Sequence, residues 1–323
     1  MILVLVEPGD GSTATLSLEA LTFARREAEL LGLPVHALVV GPHPSSMLAD
    51  LADYGVAWVH HADDPRLASY SAAAWATAVV QAATAGSARL VLAAASPRGN
   101  EVMAHVAART GRRMAANVVT LSGTDPIVAA RQVMGGAALE EVALADAPSL
   151  LTMAGHAVEP LPAASPSDTA VSTFAPELTD ADLVAQVKRS VPTPAGGSDL
   201  AKARVVVGAG RGVGGEGQFG DLLELVDLLG GALGVSRVVT SLGWRPHHEQ
   251  VGQTGSRISP DVYLACGISG AIQHWAGCST AKTIIAVNTD AEAPMVTKAH
   301  YAVIGDLHEI IPAVNAELRK RLA

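Results

Sequence analysis

Small residues placed directly after a β-strand let a phosphate approach the backbone, and two stretches of this sequence have that form. The first follows the apolar run Arg204 to Val207, where Gly208, Gly210, Gly212, Gly214, Gly215 and Gly217 crowd together ahead of Gln218. Gly210, Gly212 and Gly215 satisfy GxGxxG, and a helix beginning near Gln218 would offer its first N–H groups to a phosphate. A nicotinamide site of this kind also needs an acid on the ribose hydroxyls about 20 residues on. Thr240 and Ser241 stand there instead, at the end of a strand expected over Val235 to Thr240. No Lys-Ser or Lys-Thr pair follows the glycines, which excludes a P-loop. A plain glycine-rich turn remains the alternative.

The second stretch follows Val262 to Cys266 and reads Gly267-Ile268-Ser269-Gly270-Ala271, with a helix expected from Ile272 to Ala276. Backbone N–H groups, the helix dipole and the Ser269 hydroxyl suit a pyrophosphate. Its alternative is a turn of small residues with no ligand. Ligands of open parallel sheets lie outside the carboxyl ends of the strands, and the glycine cluster, this turn and Asn288 to Asp290 share that edge. The run Gln250-Val251-Gly252-Gln253-Thr254-Gly255 offers amides and a hydroxyl but little to bury, as a loop that hydrogen-bonds a heterocycle requires. His274, early in the helix after the second turn, adds a donor or a charge; alone it would be read as a satisfied histidine.

Two other chemistries are weighed against these. Ser269, Asp290 and His300 or His308 follow the chain order of a serine hydrolase, but the elbow GxSxG fails at Ala271. His60-His61 with Asp63 and Asp64, and His247-His248 with Glu249, raise the question of metal. Adjacent side chains on an extended backbone point to opposite faces, and no HExxH or paired CxxC occurs, so no metal is expected.

The elements that must position these residues alternate. Ile2 to Val6, Val35 to Val40, Val56 to Val59 and Leu90 to Ala94 read as strands. Leu18, Leu21, Ala24, Ala28 and Leu31 recur at helical spacing between the first two. Asn117 to Met153 is expected to close the domain with antiparallel or irregular strands. Prolines 160, 162, 166, 176, 192 and 194 then break the pattern, with a short amphipathic helix expected from Leu178 to Val187. A domain boundary is placed near Ala195 to Asp199. A second βαβ rhythm runs through Arg204 to Val207, Val235 to Thr240, Val262 to Cys266 and Thr283 to Val287, ending in a helix with Leu307, Ile310, Ile311, Val314 and Leu318 on one stripe. The fold class is therefore α/β, with two domains in series. Residues 1–195 form an open α/β sheet domain, and residues 196–323 a Rossmann-like, doubly wound parallel sheet.

Composition removes other classes. The chain has 323 residues, 49% hydrophobic, at a mean hydropathy of +0.31, yet no apolar run approaches the roughly 18–20 residues of a spanning helix. A net charge of −9 and 3% aromatic residues disfavour nucleic acid, by charge and by stacking. Two cysteines, Cys266 and Cys278, are too few for a disulfide framework, so a cytoplasmic location is expected.

Taken together, Gly210-Arg211-Gly212, Ser236-Arg237, Gln250 to Gly255, the string GISGAIQH from Gly267 to His274, Asn288 with Asp290, and Ala293-Pro294 resemble the α subunit of electron-transfer flavoproteins. The segments occur in the family's order through to Asp306-Leu307; the first domain supports the resemblance only by its βαβ character and length. The resemblance implies an electron carrier that has no substrate of its own. It implies a heterodimer with a β subunit and an FAD held mainly by the C-terminal domain. Electrons would come from a flavin dehydrogenase of the acyl-CoA dehydrogenase type and pass singly to a membrane quinone reductase. The β subunit would hold AMP, or a second FAD in the electron-bifurcating members. Bifurcation is the alternative within the family, a flavin-binding module without redox turnover a weaker one, and a serine hydrolase using Ser269, Asp290 and His308 the alternative outside it.

Carried over by position, Arg211, Ser269, Gly270 and Ala271 should hold the pyrophosphate. Thr254 should meet the flavin edge at N5, with Val251, Gly252 and Gln253 beside it. Arg237 should lie against the ring system next to Ser236, and His274 near O2 and N1. Gln273 should approach the ribityl chain, Ile272 should also bind the cofactor, and Asn288, Asp306 and Leu307 should surround the adenosine end. A cation or donor at His274 would favour addition of the first electron by electrostatics. Each tenfold preference shifts a one-electron potential by about 59 mV. The chain departs from the family at Thr240-Ser241-Leu242-Gly243, where Val-Asp-Ala-Gly is usual, and at Ser256, where lysine is common.

Overall fold

A computed structural model describes residues 1–9, 11–134, 138–155, 157–188, 200 and 203–322. The described chain divides into two compact units, residues up to 188 and residues from 200 on. The boundary expected near Ala195 to Asp199 lies outside the described residues.

In the first unit β1 (Ile2–Val6), β2 (Val35–Val40), β3 (Trp58–Ala62) and β4 (Leu90–Ala94) are parallel and joined through α1 (Thr15–Leu31), α2 (Met47–Asp53) and α3 (Ala72–Ala85). β1 and β4 are continuous apolar runs because helices cover both faces of the sheet. Val4 and Val6 pack with Leu21 and Phe23 of α1 on one face, and Leu3 and Leu5 with Trp75 and Val79 of α3 on the other. The helices start and stop by local chemistry. Ser96 caps α4 (Pro97–Thr110) by accepting from the Gly99 N–H at 2.8 Å, Pro97 opens it, and Gly111 ends it in the left-handed region at φ 64°.

β5 (Met114–Ser122), β6 (Ile127–Val133) and β7 (Ala138–Leu144) form the antiparallel margin, and β8 (Ser149–Met153) returns parallel between β4 and β5. The order is β7-β6-β5-β8-β4-β1-β2-β3-β9. Its last member, β9 (Ala170–Phe174), lies in the proline-broken segment and was not expected from the sequence; it pairs parallel to β3. The third strand runs later than Val56 to Val59. The helix expected over Leu178 to Val187 is one 3-10 turn, Asp180–Leu183. There Thr179 and Asp182 form a capping box and the Asp182 carboxylate accepts from Arg109 at 2.6 Å, so side-chain bonds displace helical ones.

The second unit is a five-stranded, wholly parallel sheet in the order β11-β10-β12-β13-β14. Its strands are β10 (Val205–Ala209), β11 (Ala232–Val235), β12 (Val262–Cys266), β13 (Thr283–Asn288) and β14 (Tyr301–Ile304). α5 (Gly220–Leu229) and α9 (Leu307–Leu322) cover one face through Leu222, Leu225 and Ile311, and Ile258, Cys278 and Met295, the last on α8 (Pro294–Lys298), fill the other. A correction concerns β11. The strand expected over Val235 to Thr240 ends at Val235, and Arg237–Ser241 is helix α6. The β-branched Val238 and Val239 mimic a strand, whereas the true strand is interrupted by Gly234, where a β-carbon would sit 2.7 Å from Val251. Ser236 and Arg237 therefore follow directly on the second strand, which places a cation where a nicotinamide site has its ribose acid.

Candidate functional site

Strand order reverses at β10, with β11 on one side and β12 on the other, and the carboxyl ends of these strands flank a switch-point crevice. Two turns are sewn together there: the Gly210 N–H donates to the Cys266 carbonyl at 2.9 Å, and the Gly212 N–H to the Gly267 carbonyl at 3.0 Å. A β-carbon at Gly210 would overlap the Gly267 carbonyl, and one at Gly212 would lie 2.7 Å from the Gly267 Cα. These two glycines are thus required by backbone packing. Gly215 is extended and open on all sides and lies between two 3-10 turns, Arg211–Val213 and Glu216–Gln218, ahead of α5, so the run is not the strand-turn-helix of a dinucleotide fingerprint. Arg211 projects from the first of those turns, exposed.

In the second turn Gly267 (φ 62°) and Gly270 (φ 81°) both take left-handed backbone, and a β-carbon at Gly270 would overlap the Met295 backbone. The Ser269 carbonyl accepts from the Met295 N–H at 3.1 Å, which leaves Ser269, Ala271, Ile272 and Gln273 exposed along the crevice. α7 (Ile272–Trp275) begins there, and first-turn N–H groups have no partner within their own helix. Asn288 braces this turn: its Nδ2 donates to the Ile268 carbonyl at 3.0 Å, while its Oδ1 accepts from the Asp290 N–H at 3.1 Å. Leu307 is buried beneath Gly267, and the Asp306 carboxylate accepts from the His308 N–H at 2.9 Å at the start of α9.

The Gln250 to Gly255 loop is held from inside. The Thr240 hydroxyl donates to Gln250 Oε1 at 2.7 Å, and Gln250 Nε2 donates to the Thr254 hydroxyl oxygen at 2.9 Å. Gln250 is buried and Thr254 exposed, so the buried amide occupies an acceptor position of Thr254 and leaves the hydroxyl proton free to donate outward. The Gln253 N–H donates to the Gln273 carbonyl at 2.8 Å, a β-carbon at Gly277 would overlap the Gly252 backbone, and Gly252 itself has a φ of 138° that disfavours a side chain. Ser236 enters α6 with its N–H on the Ala209 carbonyl at 2.9 Å, and Arg237, the first helical residue, is exposed.

His274 is 7% exposed. Its Nε2 lies 2.7 Å from the Tyr263 hydroxyl, and its Nδ1 is buried without a hydrogen-bond partner. Burial lowers its pKa to about 4, with the Val251 backbone beside the ring working the other way. The imidazole is therefore neutral at pH 7, so of the two expectations, cation or donor, the buried ring in this chain suits a hydrogen-bonding group and not a charge. Tyr263 is fully buried, and an unpaired buried hydroxyl costs about 1–3 kcal/mol, so the bond to His274 is one the fold needs. Sequence reasoning passed over Tyr263, Thr240 as a hydrogen-bonding group, and Met295. The available signal for Tyr263 was a tyrosine within an otherwise apolar buried strand, whose polar tip must find a partner.

The hydrolase reading finds no support in these bonds. The Asp290 carboxylate accepts from the Glu292 N–H at 2.9 Å, within its own turn, and the left-handed positions flank Ser269 without including it. His60 and His61 point to opposite faces of β3, toward His36 (3.1 Å) and the Gly41 carbonyl (3.1 Å). Among the described residues no group of three or more His, Cys, Asp or Glu is placed to hold a metal, and no helix is long and apolar enough to cross a membrane.

Comparison with known proteins agrees with the second-unit geometry. Residues 2–179 match the family model of the electron transfer flavoprotein domain, and residues 199–279 that of the electron transfer flavoprotein FAD-binding domain. An electron transfer flavoprotein subunit alpha of Mycobacterium tuberculosis is 37% identical over 322 residues, 99% of this chain and 98% of that protein. That of Clostridium acetobutylicum is 33% identical over 98% of this chain and 96% of its own length, and a protein FixB of Clostridium saccharobutylicum 31% over 98% and 96%. The chain belongs to the electron transfer flavoprotein family, as an α subunit.

Proposed function

We propose that this chain is the FAD-carrying subunit of a heterodimeric electron carrier, with the cofactor along the carboxyl edge of the second sheet. The observation that carries the reading is the clasp between two loops: the Gln253 N–H on the Gln273 carbonyl brings the Thr254 loop and the His274 helix to one junction. The residues fit the group. Backbones that only glycine permits, at Gly252, Gly267 and Gly270, line the approach, and the orphaned His274 Nδ1 is a buried polar atom awaiting a partner.

In this reading Arg211, Ser269, Gly270 and Ala271 hold the pyrophosphate, and Val251, Gly252 and Gln253 carry the loop that sets the ring. Ser236 turns the chain so that exposed Arg237 reaches the ring system. Ile272 and Gln273 flank the ribityl chain. Asn288 acts mainly as a brace, because its donor and acceptor are used within the turns. Leu307 supports Gly267 from below, and Asp306 lies at the adenosine end. FAD supplies the redox chemistry, one electron at a time. The protein sets the potentials: Thr254 donates a hydrogen bond whose direction Gln250 enforces, and neutral His274 contributes a donor to the side of the ring that gains negative charge. The donor is proposed to be a dehydrogenase of the acyl-CoA type and the acceptor a quinone reductase. The partner is a β subunit holding AMP, or a second FAD in a bifurcating pair. The compartment is the cytoplasm.

Purified protein should be yellow, with one FAD released per chain on denaturation, and should take up electrons in two resolved one-electron steps. A colourless protein that gains no flavin on incubation with FAD and the β subunit contradicts the reading.

A further inference from the structure

Tyr263 and His274 form a closed pair. The phenol oxygen and Nε2 are 2.7 Å apart, both groups are buried, and Nε2 is the one hydrogen-bond partner of the hydroxyl among the described residues. A single hydrogen fits between two atoms at that distance. If the ring carried its proton on Nε2, the phenol hydrogen would be left without an acceptor inside a core of Val206, Ile258, Ala265 and Ile284. Burial also keeps the phenol protonated, pushing its pKa well above the ordinary tyrosine range. The hydroxyl has been given room: a β-carbon at Gly208 would overlap it, which accounts for a glycine inside β10 that neither of the sewn turns requires.

We propose that Tyr263 is a positioning residue that donates to His274 Nε2 and thereby fixes the ring proton on Nδ1, as a donor that no side chain among the described residues accepts, with only the Val251 backbone beside the ring. In a neutral imidazole one nitrogen donates and the other accepts, so the bond at Nε2 decides what Nδ1 presents. Tyr263 touches no exposed surface and acts only through the histidine. Assigning the missing acceptor to the flavin rests on the FAD reading; the tautomer itself does not.

The test is the 15N spectrum of the histidine rings in the full-length chain with its β subunit at pH 7.5, where His274 is identified by the signals lost in His274→Gln. The expected result is Nδ1 protonated and Nε2 of the unprotonated, pyridine type. Tyr263→Phe, which removes one oxygen and keeps the ring, should move the proton to Nε2 in at least part of the population. In the FAD-loaded protein the same substitution should lower the first one-electron potential by about 59 mV, a tenfold change in the equilibrium constant, while FAD stays bound. Nε2 found protonated in the wild type, or a tautomer unmoved in folded Tyr263→Phe, overturns the proposal. The wild-type spectrum decides it even if the variant fails to fold. Absence of flavin would remove the FAD reading and leave the tautomer result standing.

Discussion

The two units present the same topological feature and use it in opposite ways. Each has a run of parallel strands whose order reverses, between β1 and β4 in the mixed first sheet and about β10 in the wholly parallel second. In the first unit the loop after β1 folds back on itself: the Ala14 N–H donates to the Glu7 carbonyl at 3.1 Å, and the Glu7 N–H to the Ser17 hydroxyl at 2.9 Å. The Glu7 carboxylate, buried, accepts from the hydroxyl of Ser96 at the head of α4, the position a phosphate would otherwise take. In the second unit the equivalent edge carries no buried acid among the described residues. It is built of glycine backbones, with Arg211, Ser269, Gln273 and Thr254 exposed above them. A switch point is an opportunity set by topology; whether it becomes a site depends on the side chains placed there.

Glycine substitutions break this contrast most severely. Gly270→Ala introduces a β-carbon at a left-handed position and into the Met295 backbone, so it should destabilise the second unit by about 3 kcal/mol and release FAD. Gly99→Ala is comparably crowded, by the Ala94 carbonyl. It should destabilise the first unit by about 1–3 kcal/mol and leave the flavin spectrum and potentials unchanged. Urea unfolding followed by intrinsic and flavin fluorescence separates the two. If Gly99→Ala also expels FAD, the closed first edge takes part in binding and the contrast fails.

A smaller effect sharpens the open site. Thr254→Val keeps the shape and removes the hydroxyl held by Gln250, so FAD should remain bound. The first one-electron potential should fall by about 60 mV, the loss of one hydrogen bond worth about 1.4 kcal/mol, as read by spectroelectrochemistry. Thr240→Val should do less, because it removes only the outer member of the Thr240, Gln250, Thr254 chain.

The smallest effect concerns the closed site. Burial raises the Glu7 carboxyl above its ordinary pKa, against the opposing hydrogen bond from Ser96 and the charge of Arg98. The folded state therefore holds that proton more tightly than the unfolded chain. Stability from this group is complete below the unfolded value of 4.5 and is lost as pH rises through the higher folded value. Glu7→Gln should flatten this fall and leave the first unit more stable near neutral pH, by about 1 kcal/mol. Unfolding curves across pH 4 to 8, roughly the span in which a raised carboxyl titrates, check the sign. A variant that is less stable at pH 7 and more pH-dependent would contradict it.

Much of this was legible in the sequence, for physical reasons that differ by element. β1, β2, β4 and β12 coincide with their apolar runs because a strand covered on both faces needs unbroken hydrophobicity. β11 was misplaced because Gly234 breaks its apolar pattern, for a packing reason that only the neighbouring Val206 and Val251 reveal. β9 and β14 were missed as short edge strands: β9 mixes apolar residues with Ser172 and Thr173, and β14 is a four-residue apolar run exposed along its whole length, too short to set apart from a helix by period. At the site, the glycine turns and the Gln250 to Gly255 loop were visible by composition. What sequence alone did not show was which groups stand behind them. Tyr263 behind His274, Thr240 behind Gln250 and Met295 behind Gly270 are brought there by tertiary packing, across separations that local spacing does not encode. The neutrality of His274 likewise follows from burial, which residue type does not disclose.

The central claim is that the second edge, and not the first, holds the flavin. Hydrogen–deuterium exchange of the complex before and after removal of FAD tests it most directly. FAD should protect the amides of residues 252–254 and 267–273 and leave residues 7–9 and 96–99 unchanged. Protection confined to the Glu7 and Ser96 loops, or equal protection of both edges, contradicts the account.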